Sequence, residues 1–553
     1  MLSSKSTPAC IRRFFALTFV VALMTPSLLP AQFGAAGTQF LDQDSPAVPD
    51  SNDPNDQFAE ALAAGDFEGD GYPDLVVHTS RETVSGVINT GQITVIRGSE
   101  LGLDPVLGAE LWNEGQGLLT GEPDSNDYFG YSVAAGDFND DQIEDLAIAV
   151  YGGDPVIDGQ PVLNAGEVYV LWGSGTGLTH QGHLTIRQGT FGLPGEPVPG
   201  NRFGSTLTSG DFNGDGVDDL ALGSETCDFE PPEGPIVQGA GCLAVLYGSN
   251  SGLDASPGEG VPGVMFDLSS FGWAPGPFDG FGNALAAADF DGNGFEDLAV
   301  AAHGREVAGE NNAGAVFIFW GSEDGLTAID VQKIHRGTPG ISGSPTEDDN
   351  LGDALEAADF DGDGAAELVI GVPQATLLLE EEGMAYVVPG VPGDALDTNA
   401  TTSLTQGVLT GKPLELTARF GSQAMAGDFD GDGYPDLAIS APLANAEGVA
   451  NAGLTWIVRG HPNGLQIENA LEISHADVAL GALPNDSFGL QLLSADFDAN
   501  GADDLVVGMP IFGADDAGAL DVFYGASTVG PPEIFLDDFE SGNFDGWSSV
   551  VNN

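Results

Sequence analysis

Asp66-Phe67-Glu68-Gly69-Asp70-Gly71-Tyr72-Pro73-Asp74 is a nine-residue stretch with oxygen-bearing side chains at positions 1, 3, 5 and 9. The same skeleton returns at Asp137, Asp211, Asp289, Asp359, Asp428 and Asp496. The copies are roughly 70 residues apart, somewhat longer than a solenoid repeat and near the length of a generous propeller blade. Seven copies in one register are not chance, and a repeat of this kind decides the fold.

The surroundings repeat as well. Ahead of the second loop stands Phe129-Gly130 and an alternating run of small residues, and behind it the apolar run Asp145 to Val150. A variable loop then leads to Asn164-Ala165-Gly166 and a strand over Glu167 to Trp172, closed by Gly173. A weaker fourth strand follows over His183 to Arg187. Runs of four to seven residues bounded by Gly, Asn, Asp and Pro read as strands, and no helix of useful length is indicated. Four antiparallel strands, seven times over, predict an all-β, seven-bladed β-propeller over residues 36–526. A linear array of small sheets is the weaker reading, because one four-stranded sheet cannot bury both of its faces alone.

The ends of the pattern predict how the ring closes. The seventh repeat supplies three strands, up to Tyr524, and lacks a fourth. Thr38 to Asp42 precedes the first repeat as Leu111 to Asn113 precedes the second. The N-terminal strand is therefore expected to complete blade seven.

Composition agrees. The 81 glycines suit many tight turns, and 42% hydrophobic residues suffice for a core. With 84 acidic against 13 basic residues, the formal charge is −71. Such a surface repels nucleic acid and anionic lipid, which excludes both as partners. Acidity alone could serve solubility, but these carboxylates are placed periodically.

Residues 1–31 read as a secretory signal: Lys5, Arg12 and Arg13 precede an apolar run from Phe14 to Met24, and cleavage is placed after Ala31 despite Leu29 at −3. The run is too short to span a bilayer, so no membrane insertion is expected after cleavage. In an exported chain, Cys227 and Cys242 are expected to form a local disulfide, while Cys10 leaves with the signal. Residues 527–553 form a tail of unassigned role, too short to fold alone.

The repeated loop suits Ca²⁺, a hard cation that takes six to eight oxygens, better than the stricter Mg²⁺. Alternate residues of a tight turn deliver the oxygens, Gly at position 6 permits the bend, and the backbone carbonyl of position 7 is available. The expected ligand sets, up to seven ions in all, follow from the sequence. Loop one offers Asp66, Glu68, Asp70, Tyr72 (carbonyl) and Asp74; loop two, Asp137, Asn139, Asp141, Ile143 and Asp145. Loop three offers Asp211, Asn213, Asp215, Val217 and Asp219; loop four, Asp289, Asp291, Asn293, Phe295 and Asp297. Loop five offers Asp359, Asp361, Asp363, Ala365 and Glu367; loop six, Asp428, Asp430, Asp432, Tyr434 and Asp436. Loop seven offers Asp496, Asp498, Asn500, Ala502 and Asp504. Loops one and six carry full carboxylate sets. Gln142 replaces Gly in loop two, which is expected to be the weakest site.

The Phe-Gly pairs at Phe129, Phe203, Phe281, Phe420 and Phe488, the acidic loops, and ends such as Ile370-Gly371-Val372-Pro373 resemble FG-GAP repeats, those of the integrin α-subunit propeller and of many bacterial surface proteins. Blade one departs with Phe58-Ala59 and blade five with Leu351-Gly352. The resemblance implies a calcium-stiffened propeller whose opposite face recognises a ligand; the expectation for this chain is a monomeric binding or adhesion scaffold for an extracellular protein or glycan, secreted or held at the cell surface. The insertions Tyr151 to Ala165, Ser224 to Gly241, and Phe271 to Gly280 are expected on that face, with Trp273 exposed.

No enzyme is expected. The seven histidines form no zinc-type pair, His180 and His183 lie at a strand edge, and no nucleophile elbow, P-loop or dinucleotide fingerprint occurs. A polysaccharide-acting lyase or hydrolase framed by the propeller is the alternative; a basic-plus-acidic pocket would support it, but only 13 Lys and Arg exist to build one. A purely structural envelope component is the third.

Overall fold

The computed structural model describes residues 33–526, apart from 116–122, 254–262, 379–380, 412–413, 479–480 and 514–515. The signal reading, Cys10 and the tail lie outside these residues.

Seven four-stranded antiparallel sheets make up the chain, and six of them are contiguous in sequence. Blade one runs Phe58–Gly65, Asp74–Thr79, Gln92–Ile96 and Ala109–Trp112 in spatial order. The seventh sheet takes Gln491–Ala495, Asp504–Met509 and Ala519–Gly525, and its fourth strand is Phe33–Leu41 from the other end of the chain. Thr38 pairs with Phe523 and Leu41 with Leu520, so the ring closes as the sequence implies. The closing strand begins five residues before Thr38. Closure leaves blade seven no free edge at that seam.

Burial follows position in the blade. The second strand of every blade is buried along its whole length, because it packs on the neighbouring blade at both faces. The first strand is only partly buried, since its other side faces the central channel.

The repeated residues turn out to be the seams. The N–H of each Phe58, Phe129, Phe203, Phe281, Leu351, Phe420 and Phe488 donates to a carbonyl of the adjoining blade at 2.7–3.3 Å. That carbonyl belongs to the residue just before the Gly of the Asn-Ala-Gly segment, as in Phe488 to Ala452. A Cβ on Gly453 would lie well inside 3.0 Å of Phe488 backbone, and Gly518 meets Phe58 in the same way. The glycine is thus dictated by backbone approach across the seam as well as by its left-handed φ.

The loop phenylalanine at position 2 is a second seam. Phe67, Phe138, Phe212, Phe290, Phe360, Phe429 and Phe497 are all fully buried. Each carbonyl accepts from the residue after the third-strand Gly of the adjoining blade, from Ser174 to Phe67 round to Ser99 on Phe497, at 3.0–3.4 Å. Burying one such ring contributes about 2–3 kcal/mol. Each acidic loop is therefore anchored to the neighbouring blade as well as to its own.

Candidate metal centre and the opposite face

Every acidic loop joins the first strand of a blade to the second, so all seven lie on one face around the channel. The position-1 Asp organises the turn. In all seven loops its two carboxylate oxygens accept from the backbone N–H groups of positions 5 and 6 at 2.7–3.1 Å. Position 5 in turn accepts from the N–H of position 7, as Asp432 does from Tyr434 at 3.0 Å.

Position 9 starts the second strand and is anchored from behind. In six loops its Oδ1 accepts from the Gly that closes the third strand, at 2.7–3.1 Å. Glu367 is the exception: its longer side chain accepts at Oε2 from Phe360 N–H at 2.8 Å. These carboxylates are buried, and burial raises their pKa values, with neighbouring acids adding to the effect and the N–H bonds opposing it. Asp297 rises to about 7, Asp145, Asp219, Asp504 and Glu367 to about 8, and Asp74 to about 9. A buried carboxylate crowded by others lacks a positive partner, which is the environment a bound cation relieves.

In four loops three carboxylates bring oxygens within 4.8 Å of one another: Asp289, Asp291 and Asp297; Asp359, Asp361 and Glu367; Asp428, Asp430 and Asp432; Asp496, Asp498 and Asp504. These oxygen-only sets fit a hard divalent cation. Loops one to three form no such acidic trio among the described residues. In loop three one of the four side chains is the amide Asn213.

In loop one, the full carboxylate set read from the sequence includes a residue with a basic partner. Arg97 Nη2 lies 2.6 Å from Glu68 Oε1, so the longer side chain is drawn to a guanidinium. Arg459 likewise lies 3.1 Å from Asp430 in loop six. Both arginines stand just before the closing Gly of the third strand, where other blades have Trp172, Tyr247, Trp320, Pro389 and Tyr524. The two arginines at this otherwise mostly aromatic position are legible in the sequence, but their acidic partners are not.

Loop two is strained as expected. Gln142 holds φ +68°, where the other six loops have Gly at φ +86° to +94°. Asp140, at position 4, is also left-handed at φ +59°, and Asn139 Nδ2 donates to both oxygens of Asp145 at 2.9 and 3.2 Å. Position 4 thus shares the conformational demand assigned from sequence to position 6 alone.

The other face carries the inserted loops. Cys227 and Cys242 are disulfide-bonded, with Cα atoms 5.7 Å apart. Residues 156–161 form a small hairpin. Trp273 is not the exposed ring expected: it packs 4.9 Å from Phe317 and 5.5 Å from Phe271, because its loop folds back over blade four. Phe278, five residues on, is 67% exposed instead.

At the mouth of the channel on this face lies a cavity of about 460 Å³, lined among others by Glu60, Tyr131, Ser205, Asn283, Asp353 and Gln423. Tyr131 stacks on Tyr151 at 4.1 Å, and the guanidinium of Arg202 covers Tyr151 at 4.4 Å. His303 Nδ1 lies 3.2 Å from Asp353 and Nε2 4.0 Å from Glu225. Burial lowers the His303 pKa, but Asp353 and Glu225 outweigh it and leave the imidazole above its ordinary value. Sequence reasoning passed over this constellation because its members come from blades one to six. The His180/His183 pair is local: His183 Nδ1 bonds the carbonyl of His180 at 2.9 Å.

The FG-GAP repeat model matches residues 58–96, 129–171, 203–226, 281–319, 351–388 and 420–458. Phosphatidylinositol-glycan-specific phospholipase D of Bos taurus is 35% identical over 193 residues, 34% of this chain and 20% of that protein. Integrin alpha-5 of Xenopus laevis is 32% identical over 251 residues, 44% of this chain and 20% of that protein. The similarity thus spans about a fifth of either relative. Among solved structures, an exotype rhamnogalacturonan lyase superposes over 85% of this chain and 72% of its own at 13% identity, with a TM-score of 0.41, too loose a likeness to carry an argument. Six matched repeats, a seventh of the same build in the structure, and the integrin α similarity make this chain an FG-GAP repeat protein with an integrin α-like β-propeller.

Proposed function

We propose that the protein is an exported, calcium-stabilised binding scaffold whose acidic loops hold Ca²⁺ on one face and whose opposite face takes a protein or glycan ligand. The observation that carries this is the loop architecture: carboxylates converge within 4.8 Å in four loops, and all seven loops are hydrogen-bonded to a neighbouring blade. The ligands would be the side chains at positions 1, 3, 5 and 9 with the carbonyl of position 7. Bound Ca²⁺ would neutralise the crowded acids and so tie each blade to the next. The position-1 hydrogen bonds hold the turn, and the position-9 anchors hold the buried carboxylate in place.

Thermal unfolding with calcium and with chelator, alongside a count of bound calcium, tests the scaffold. A large stabilisation by calcium with about four to seven ions per chain is expected; no shift and no bound metal would refute it. Ligand capture is tested by screening extracellular proteins and glycans against the intact chain, with Phe278→Ala and Tyr131→Ala as the face-specific controls.

The cavity at the channel mouth favours a second reading. His303 held by Asp353, with Arg202, Tyr131 and Glu225 nearby, is the mixed basic and acidic pocket that a carbohydrate-acting lyase or hydrolase would use. Turnover of acidic or neutral polysaccharides, abolished by His303→Ala, would favour this reading over a binding scaffold.

A further inference from the structure

The residue that follows the Phe-Gly pair, or its variant, breaks the repeat. In blades one to five it is Glu60, Tyr131, Ser205, Asn283 and Asp353, five chemistries at one place in a scaffold that otherwise recurs. All five line the cavity of about 460 Å³ at the channel mouth, and Gln423 and Gln491 complete it from blades six and seven. A cavity of this volume is of the size that small ligands occupy.

The lining has a definite polarity. Glu60, Glu225 and Asp353 bring carboxylates, and no lysine or arginine stands among the described lining residues. His303 is already engaged, 3.2 Å from Asp353 and 4.0 Å from Glu225. Glu60 Oε2 is buried and makes no hydrogen bond among the described residues. Ser205, only 6% exposed, lines the same cavity with a hydroxyl that has no partner either. A buried polar atom left unpaired is destabilising, so a ligand group that pairs with it gains affinity. Tyr131 supplies a ring wall, held by stacking on Tyr151 at 4.1 Å and 38% exposed.

These features select the ligand. An acidic group is repelled by the three carboxylates. A wholly apolar ligand leaves Glu60 and Ser205 unpaired. A lysine side chain satisfies Glu60 but sets its apolar stem against the hydroxyl of Ser205 and the amides of Asn283 and Gln423. A sugar ring carries hydroxyls around its edge and an apolar face whose C–H groups suit an aromatic ring. An amino substituent on that ring supplies the positive charge.

We propose that the channel mouth binds an amino sugar of a glycan, with its ammonium group against Glu60, a ring hydroxyl on Ser205 Oγ and its apolar face on Tyr131. This rests on the reading of the opposite face as ligand-binding and narrows that ligand to a cationic glycan. The polymer has a path outward, because Glu225 also lines an adjoining cavity of about 340 Å³ together with His303 and the exposed Phe278.

Isothermal titration calorimetry of the full, calcium-saturated chain compares the tetramers of glucosamine, N-acetylglucosamine, galacturonate and lysine. Salt at about 0.15 M screens the general negative charge. The glucosamine tetramer is expected to bind at least about ten-fold more tightly than its N-acetylated form, and galacturonate not to bind. Glu60→Gln should weaken glucosamine binding at least about ten-fold, and Ser205→Ala about two- to ten-fold. Glu100→Gln, an exposed acid on the acidic-loop face, should leave it unchanged, which separates the mouth from attraction to an acidic protein at large. The unfolding midpoint in calcium reports whether each variant is folded, and Ser205→Ala carries the test if Glu60→Gln is not. Unchanged affinity in Glu60→Gln, or equal binding of the two glucosamine tetramers, overturns the proposal. Binding of the lysine tetramer alone overturns it too and gives the mouth to a protein side chain. If no tetramer binds while the ligand screen captures a partner sensitive to Phe278→Ala, the amino-sugar assignment fails and the wider reading of the face stands.

Discussion

Two glycines of blade six, five residues apart, separate the cost of backbone conformation from the cost of close approach. Gly448 and Gly453 have φ +85° and +86°. A Cβ at Gly448 would meet nothing within 4 Å, whereas at Gly453 it would sit well inside 3.0 Å of Phe488 backbone nitrogen and oxygen. Gly448→Ala therefore carries only the left-handed penalty, about 1–2 kcal/mol. Gly453→Ala carries the same penalty and must also push the blade six–seven seam apart by about 1 Å. That stretches the 3.0 Å bond from Phe488 N–H to the Ala452 carbonyl and loosens the packing of a fully buried phenylalanine. A lost buried hydrogen bond and disturbed core packing bring the total to about 4 kcal/mol or more. Denaturant unfolding of the calcium-saturated chain, followed by fluorescence, reads the difference, and expression yield should fall in the same order. Equal destabilisation by the two substitutions would refute the claim that backbone approach at the seam, rather than φ, fixes this repeated glycine.

Further outcomes follow from the same structure. Ala59 holds φ +71° where the other blades have Gly at this place in the Phe-Gly pair, so Ala59→Gly should stabilise the chain by about 0.5–1 kcal/mol, read as a rise in the denaturant midpoint. Reducing the Cys227–Cys242 bridge, which closes a 15-residue separation, should cost about 3 kcal/mol, and a Cys227→Ser/Cys242→Ser variant should unfold like the reduced chain. In chelator, stability should rise as pH falls from 8 towards 5. The native forms of Asp145, Asp219, Asp297, Asp504 and Glu367 take up protons near pH 7–8, while the unfolded chain takes them up only near pH 4. Calcium needs the ionised carboxylates, so the gap between the calcium and chelator unfolding midpoints should narrow over the same range. A gap that widens on acidification would contradict the assignment of these groups as metal ligands.

Much of the architecture was legible because the constraint recurs. Acidic or amide residues at positions 1, 3 and 5 of each loop, a Phe-Gly pair or its close variant before it and a segment ending in Gly like Asn-Ala-Gly after it define strand ends in each repeat, and the missing fourth strand of the seventh repeat points to Thr38–Asp42. The Phe at position 2 was in view in every copy, yet its role as the wedge between blades needed the neighbouring blade. Arg97 and Arg459 needed only their own folded blade: their partners Glu68 and Asp430 lie 29 residues away in sequence in each case, 97 − 68 and 459 − 430. Trp273 was misjudged because a loop rich in Gly and Pro gives no local sign of folding back onto Phe317.

By itself, then, the sequence determined the fold class, the number of blades, the ring closure and the acidic loops. Each of these depends on local periodicity or turn chemistry, which one strand and its neighbours express within about 70 residues. Tertiary structure alone decided which carboxylates converge and which are claimed by a guanidinium. It also decided that Tyr131, Arg202, His303 and Asp353 gather at one channel mouth. The carboxylate trios and the arginine contacts depend on how a turn and a third strand meet within one folded blade, whereas the gathering at the channel mouth depends on distances around the ring between residues far apart in the chain, which exist only once the ring has closed.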